Sequence, residues 1–226
     1  MVLIYSLAAY AVAIGLKYAV QIPTINMVID YFGDHSAGLG VYYGLQTVFF
    51  EVGIAYFVAW YAVKRGLLER KDAEGYGTGL AFWENAGLLG ALSLLNLVIY
   101  YSVLSTNTAL AQTLFNQLNA NASYLFASPT QALGSVALGT LERVSSILFH
   151  FSWGYLCVLA AVYKKKRLFL IALPMGFVDF LVPFAAPGNL ALFEAAVFAL
   201  SAVSVLVAWY ASKTVVKGLK SQSAIT

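Results

Sequence analysis

Long runs of apolar residues, separated by short polar stretches, dominate the chain. A helix needs about 20 mostly apolar residues to cross a bilayer. Six runs are long enough, and they cover about residues 2–20, 38–63, 76–104, 135–163, 168–184 and 190–211. The pattern predicts an all-α, polytopic transmembrane helix bundle that forms a single integral membrane domain over residues 1–226. The first run has no basic residues before it, so we interpret it as a span and not as a cleaved signal peptide.

Composition narrows the class of protein further. Hydrophobic residues make up 61% of the chain and charged residues only 10%, whereas about 25% of the residues of soluble domains are charged. We therefore expect the lipid bilayer to surround the protein. The net charge of +3 is too small to suggest nucleic acid as a partner. The single cysteine, Cys157, excludes an internal disulfide and a cysteine-rich zinc site.

Lysine and arginine residues lie in alternate loops. The loops after the second and fourth spans and the segment after the sixth span contain Lys64, Arg65, Arg70, Lys71, Lys164, Lys165, Lys166, Arg167, Lys213, Lys217 and Lys220. Residues 22–37, 105–134 and 185–189 contain none, and the two remaining basic residues, Lys17 and Arg143, lie inside predicted spans. This is the positive-inside pattern, and it predicts a multi-pass protein of the cell (plasma) membrane with cytoplasmic N and C termini.

The longest connection, residues 105–134, is predicted to lie on the outer side. Its apolar residues recur at helical spacing, which predicts a short helix on the outer surface. These residues are Leu110, Leu114, Phe115 and Leu118. Asn121-Ala122-Ser123 has the form of a glycosylation sequon, which is weak evidence on its own.

Five acidic residues fall inside predicted spans, where a charge near the bilayer centre costs at least about 2.5–3.5 kcal/mol. They are Glu51, Glu84, Glu142, Asp179 and Glu194. Counted along each helix at about 1.5 Å per residue, Glu51, Glu84, Asp179 and the imidazole of His150 lie near mid-membrane, and we call them the mid-depth residues. Glu194 lies near the outer end of the last span, where we expect it to reach water and to have no special role.

The fourth span carries Glu142, Arg143 and His150 on one helix. Residues seven or eight apart lie on nearly the same helical face, so Glu142 and Arg143 are expected about two turns outward of His150 on one stripe. Arg143 either takes part in the chemistry of a polar centre with Glu142 and Asp179, or it anchors the helix through an ion pair with a carboxylate of another span.

Other features favour structural interpretations. Gly75, Gly77 and Gly79 are better explained by close helix packing than by a phosphate loop, because no strand precedes them. Pro174 and Pro183 are expected to kink the fifth span near Asp179, as in hydrolases and transporters alike.

Three passages of the chain combine into a family pattern. They are Phe50-Glu51-Val52-Gly53 in the second span, Tyr76-Gly77-Thr78-Gly79-Leu80-Ala81-Phe82-Trp83-Glu84 in the third, and Leu141-Glu142-Arg143 followed by Phe149-His150 in the fourth. With the looser Met175-Gly176-Phe177-Val178-Asp179, they resemble the YhfC family of intramembrane metalloproteases, which is related to the CPBP membrane peptidases. The resemblance covers about residues 38–184. It implies a membrane-peptidase fold, a membrane-protein substrate and, for an active member, zinc.

The chain departs from the family pattern at four positions. The family has a second glutamate and an arginine where this chain has Val52 and Ala55, and histidines where it has Leu80 and Met175. A hydrolytic zinc site takes about three protein ligands and an open position for water. Carboxylates would therefore have to join the one remaining histidine, and the expected metal ligands are His150, Glu84 and Asp179.

The residues and the family resemblance are compatible with three functions. We favour a divergent, non-hydrolytic member of the family that binds a membrane segment or a partner subunit around the polar centre. The second is an active metal-dependent intramembrane protease, with Glu51 or Glu84 as general base and His150 as a metal ligand or oxyanion stabiliser. The third is an ion or proton pathway through the mid-depth residues.

Overall fold

The computed structural model describes residues 1–186 and 188–223, and it describes the side chains of these residues except 120–122, 131 and 216–223. Within this part of the chain, six helical segments are long and apolar enough to cross a membrane. They are Val2–Phe32, Ala37–Lys64, Arg70–Val103, Ala132–Tyr163, Lys166–Phe184 and Leu190–Val215, here called the first to sixth spans. The protein is therefore an all-helical, multi-pass membrane protein in a lipid bilayer.

Several spans are assembled from more than one kind of helix. The α-helices are α1 Val2–Phe32, α2 Ala37–Gln46, α3 Gly53–Lys64, α4 Ala73–Phe82, α5 Ala91–Val103, α6 Thr108–Ala122, α7 Pro129–Tyr163, α8 Lys166–Gly176 and α9 Leu190–Ser223. Two π-helical segments, Thr47–Val52 and Trp83–Gly90, interrupt the second and third spans. Three 3₁₀ helices cover Arg70–Asp72, Ser123–Leu125 and Phe177–Phe184.

The first span is longer than the apolar run that predicted it. The helix continues past Val20 and through Pro23 to Phe32. The polar Thr24 is accommodated because its hydroxyl donates to the carbonyl of Val20 at 2.6 Å and bonds with Tyr42 at the same distance. Gly33 then ends the helix with a φ of +88°, a left-handed conformation that glycine adopts without steric cost.

The predicted helix in the long connection is confirmed as α6. Asn107 caps its first turn by accepting a hydrogen bond from the backbone N–H of Leu110 at 3.0 Å. Phe115 packs between Tyr100 at the end of α5 and Phe126 after the helix. The side chain of Asn121, the first residue of the sequon, is not among those that the structure describes.

The third and fourth spans approach each other closely, as the glycines near Tyr76 predicted. A Cβ atom on Gly77 would lie 2.5 Å from the carbonyl oxygen of Phe151, and one on Gly154 would lie 2.7 Å from Cα of Gly77. Any larger residue at these positions would push the two helices apart. Tyr76 is fully buried beside them and donates to the carbonyl of Ala55 in the second span at 2.8 Å.

The second and fifth spans are also joined through small residues. A Cβ atom on Gly176 would lie 2.6 Å from the side chain of Val52, and one on Gly44 would lie 2.8 Å from the ring of Phe177. The fifth span changes from α to 3₁₀ helix at this place, two residues after Pro174. The close packing and the change of helix type carry Asp179 towards the second span.

Candidate functional site

Two carboxylates and one imidazole from three different spans converge inside the bundle. Nε2 of His150 lies 3.1 Å from Oε2 of Glu51 and also contacts Oε2 of Glu84. One ligand atom from each of the three residues can be chosen so that all lie within 4.8 Å of one another. Glu51 and His150 are buried, and Glu84 is partly buried. We call these three residues the carboxylate–histidine cluster.

The orientation of His150 is set by its own helix. Nδ1 lies 2.9 Å from the carbonyl oxygen of Ser146, one turn earlier. A carbonyl oxygen only accepts hydrogen bonds, so Nδ1 must carry a proton and donate it. Nε2 is therefore the nitrogen presented to Glu51 and Glu84. The ring also packs against Trp153, with 4.2 Å between the ring centroids.

Lys17 of the first span binds the opposite side of Glu51. Its ammonium group donates to Oε1 of Glu51 at 2.6 Å, to the hydroxyl of Thr47 at 2.9 Å and to Oδ2 of Asp179 at 3.1 Å. An ammonium group has three protons, and each of these has an acceptor. Lys17 thus links Glu51 to Asp179 and fixes the position of both carboxylates.

Asp179 belongs to this second group of contacts. Its Oδ2 also accepts a hydrogen bond from the Thr47 hydroxyl at 2.5 Å. Among the described residues, Oδ2 is the only oxygen of Asp179 with a hydrogen-bond partner. About a third of the Asp179 side chain is exposed, and it lines the same cavity as the carboxylate–histidine cluster.

Both glutamates of the cluster lie in π-helical segments. Glu51 is in Thr47–Val52 and Glu84 is in Trp83–Gly90. A π-helical turn adds a residue to the helix and turns the following side chains towards a different neighbour, and such turns are frequent at functional sites. The two segments explain how carboxylates from separate spans reach the same imidazole nitrogen.

The family model of the YhfC intramembrane metalloproteases matches residues 2–187. The chain belongs to the YhfC family. No curated protein and no solved structure gives a match. The match with the family model extends over five of the six spans and includes every residue of the carboxylate–histidine cluster.

The donor set of this YhfC protein suits a divalent cation. Carboxylate oxygen and imidazole nitrogen are both zinc ligands, and with bonds of about 2.0–2.2 Å a tetrahedral ion holds its ligand atoms about 3.4 Å apart. Small side-chain adjustments would bring the three ligand atoms to that separation. The hydrogen bond from Nδ1 to the Ser146 carbonyl is the contact that usually orients a metal-binding histidine.

The balance of charges around the cluster also favours a divalent cation. The site contains three carboxylates, those of Glu51, Glu84 and Asp179, and one ammonium group, that of Lys17, which contacts Glu51 and Asp179. A doubly charged cation bound by a neutral His150 would balance the two remaining negative charges. Without the cation, a proton must lie between Nε2 of His150 and a carboxyl group that faces it, because two acceptors do not form a hydrogen bond. Oε2 of Glu84 is buried, and the polar atom that contacts it among the described residues is Nε2 of His150.

Glu142 and Arg143 lie at the margin of the site. The guanidinium of Arg143 pairs with the adjacent Glu142, and it reaches Asn85 at 3.5 Å. Asn85 in turn donates to the Ser146 hydroxyl at 3.2 Å. The ion pair of Arg143 is therefore with its neighbour in the same helix and not with a carboxylate of another span. Both side chains are more than one-third exposed.

The structure brings Glu51, Glu84 and His150 together, as expected for the catalytic candidates. Of the three predicted metal ligands, His150 and Glu84 are in the cluster. Asp179 lies beyond Lys17, and Glu51 is in the cluster instead. Sequence reasoning counted Lys17 only as a basic residue inside a span, although its charge was the signal for a buried partner.

Cys157 and three of the residues that depart from the family pattern lie in the apolar core. Cys157 is fully buried, with its thiol 3.8 Å from the carbonyl of Val52. Leu80 and Met175, at the positions of the family's histidines, are buried in the apolar core, and so is Ala55. These residues leave His150 as the only histidine of the site, because His35 lies elsewhere and bonds to the carbonyl of Pro183 at 2.7 Å.

Proposed function

We propose that this YhfC protein is a metal-dependent intramembrane peptidase in which Glu51, Glu84 and His150 hold a divalent cation such as zinc. The proposal rests on one observation. Two carboxylates contact Nε2 of His150, and the other ring nitrogen, Nδ1, already donates to the Ser146 carbonyl. Family membership supplies the reaction class, and the geometry favours an active member over the non-hydrolytic one that the sequence suggested.

The bound cation would polarise a peptide carbonyl and lower the pKa of a bound water. The protein's own residues would then position the reactants. Lys17 holds Glu51 in place through a contact of 2.6 Å, and the Ser146 carbonyl keeps the imidazole turned towards the cluster. Neither contact has to be made during the reaction, so the site is preorganised.

Asp179 is the carboxylate that remains for proton transfer. Lys17 and Thr47 donate hydrogen bonds to its Oδ2, which fixes the side chain. No described residue forms a hydrogen bond with its other oxygen. In this role Asp179 takes a proton from the attacking water and returns one to the leaving amine. Such transfers contribute about 10²–10⁴-fold to a rate.

The cavity fits a segment of a membrane protein as substrate. It has a volume of about 660 Å³. Apolar side chains line it together with the cluster, among them Ile14, Leu88, Phe149, Val178 and Val197. An apolar peptide can lie against these walls, while its backbone carbonyl meets the polar residues.

Metal analysis of the detergent-purified protein tests the proposal. After loading with zinc and removal of free metal, the wild-type protein should retain about one equivalent, and His150→Ala should lose it. His35→Ala is the matched control, because it removes the other histidine of the chain and should retain zinc. If the loaded wild-type protein retains no metal, the metal centre is wrong.

A non-hydrolytic role in binding a membrane segment or partner subunit is the second candidate. It is favoured by the apolar Leu80 and Met175, which reduce the ligand set to one histidine and two carboxylates. In that case Glu51→Gln would leave the biological function intact, and mild-detergent purification would recover a membrane partner in stoichiometric amount. An active peptidase would instead lose its function on this substitution.

A further inference from the structure

Glu194 is a buried carboxylate that the proposed chemistry does not use. It lies in the first turns of the sixth span, and only 6% of its surface is exposed. Oε2 is buried, and no described residue forms a hydrogen bond or an ion pair with the side chain. A buried carboxylate without a partner is costly, so a structure that retains one at a cavity wall suggests a ligand that pairs with it.

The cavity that Glu194 lines is the one that contains the carboxylate–histidine cluster. Glu142 and Arg143 line the same part of the wall, within electrostatic reach of Glu194. Arg143 is already paired with Glu142, so Glu194 is the carboxyl group of these three residues that has no basic partner. Apolar Phe193 and Val197 flank it in the cavity, and they offer no hydrogen bond.

We propose that Glu194 is a recognition residue for a cationic side chain, lysine or arginine, of the membrane segment that the cavity takes up. The inference rests on the proposed function in taking this cavity as the place where a substrate lies. It adds a substrate class, namely an apolar segment with one basic residue. A positive charge placed beside Glu194 would complete the charge balance at this end of the cavity.

The spacing along the fourth span sets the position of that basic residue. Arg143 precedes His150 by seven residues, which corresponds to about 10 Å along the helix axis. An extended peptide advances about 3.3 Å per residue. A basic residue within about three positions of the scissile bond would therefore reach Glu194, on the side that faces away from the basic loops.

A binding measurement tests this independently of hydrolysis. The probe is a fluorescent single-span peptide of leucine and alanine with one central lysine, and the reference is the same peptide with glutamine in its place. Anisotropy titration of the full-length protein in detergent should give about tenfold tighter binding of the lysine peptide. Glu194→Gln should remove this preference. Glu74→Gln is the control and should keep it, because Glu74 is an exposed carboxylate in the first turn of α4 and does not line this cavity.

Two further results separate the possible failures. His150→Ala should retain the preference for lysine even if it loses the metal, so a failed metal centre would leave this inference standing. A peptide with glutamate at the central position should bind the wild-type protein more weakly than the glutamine peptide, and this readout does not depend on the folding of a variant. Equal affinities of the wild-type protein for all three peptides would overturn the proposal, and so would a lysine preference that persists in Glu194→Gln.

Discussion

The ammonium group of Lys17 lies 2.6 Å from Oε1 of Glu51, at the interface between the first and second spans. Both groups are largely buried, and the same ammonium reaches Asp179 in the fifth span. One lysine therefore joins three spans at the level of the carboxylate–histidine cluster. The mutual attraction of such buried charges offsets the cost of removing them from water, and the loss of one partner leaves the other uncompensated.

The removal of this charge should destabilise the fold. Lys17→Met leaves Glu51 and Asp179 without their cation, and we expect the free energy of unfolding to fall by about 3–5 kcal/mol, as measured by reversible unfolding in mixed micelles. Adding Glu51→Gln to this variant should restore part of the stability, because the uncompensated carboxylate is then gone. A single variant as stable as the wild-type protein would mean that the contact contributes nothing.

Substitution of Asp179 should separate proton transfer from metal binding. Asp179→Asn keeps the hydrogen bonds to Lys17 and Thr47 within reach but cannot take up a proton from water. We expect cleavage of a membrane-segment substrate to fall by about 10²–10⁴-fold, with the zinc content unchanged. Loss of zinc in this variant would instead identify Asp179 as a ligand, as the sequence predicted.

Close packing of the third and fourth spans should be sensitive to one methyl group. Gly77→Ala introduces a Cβ atom 2.5 Å from the carbonyl oxygen of Phe151, and overpacking of this kind costs about 1–3 kcal/mol of stability. Gly139→Ala lies in the fourth span where a Cβ atom meets nothing within 4 Å, so it serves as the control and should not destabilise. Equal stabilities of the two variants would contradict the packing argument.

We predict the membrane orientation from the basic loops, and single cysteines can test it. The native Cys157 is fully buried and should not react with a membrane-impermeant maleimide. In intact cells, Lys71→Cys should be protected, because we predict its loop to be cytoplasmic, and Ala109→Cys in α6 should be labelled. Both positions are exposed, so lysis should make them equally reactive. Labelling of Lys71→Cys in intact cells would reverse the proposed topology.

The mid-depth residues show how much of the candidate site could be predicted from the sequence. Depth along a span follows from counting residues at about 1.5 Å each, and this count selected Glu51, Glu84, His150 and Asp179 as candidates. It could not decide which carboxylates face the imidazole. The π-helical turns at Glu51 and Glu84 change the direction of the side chains, and no pattern in the sequence predicted these turns.

The surroundings of Lys17 and Glu194 could not be predicted from the sequence, for one reason. Each was judged by its position in its own helix, Lys17 as one more basic residue and Glu194 as a group near water. Their actual surroundings are set by other spans, through the side chains of Thr47 and Asp179 around Lys17 and through the cavity wall around Glu194. A residue's burial in a bundle depends on neighbours that are distant in sequence.

The sequence by itself determined the number of spans, the alternation of basic loops and the presence of ionisable residues inside the spans. These follow from the bilayer, which requires about 20 apolar residues for each crossing and a large free energy for each buried charge. Only the tertiary structure decided that Glu51, Glu84 and His150 meet, that Lys17 separates Asp179 from them, and that Glu194 lines the same cavity. These relationships depend on the rotation and approach of the helices, which close glycine contacts and π-helical turns control.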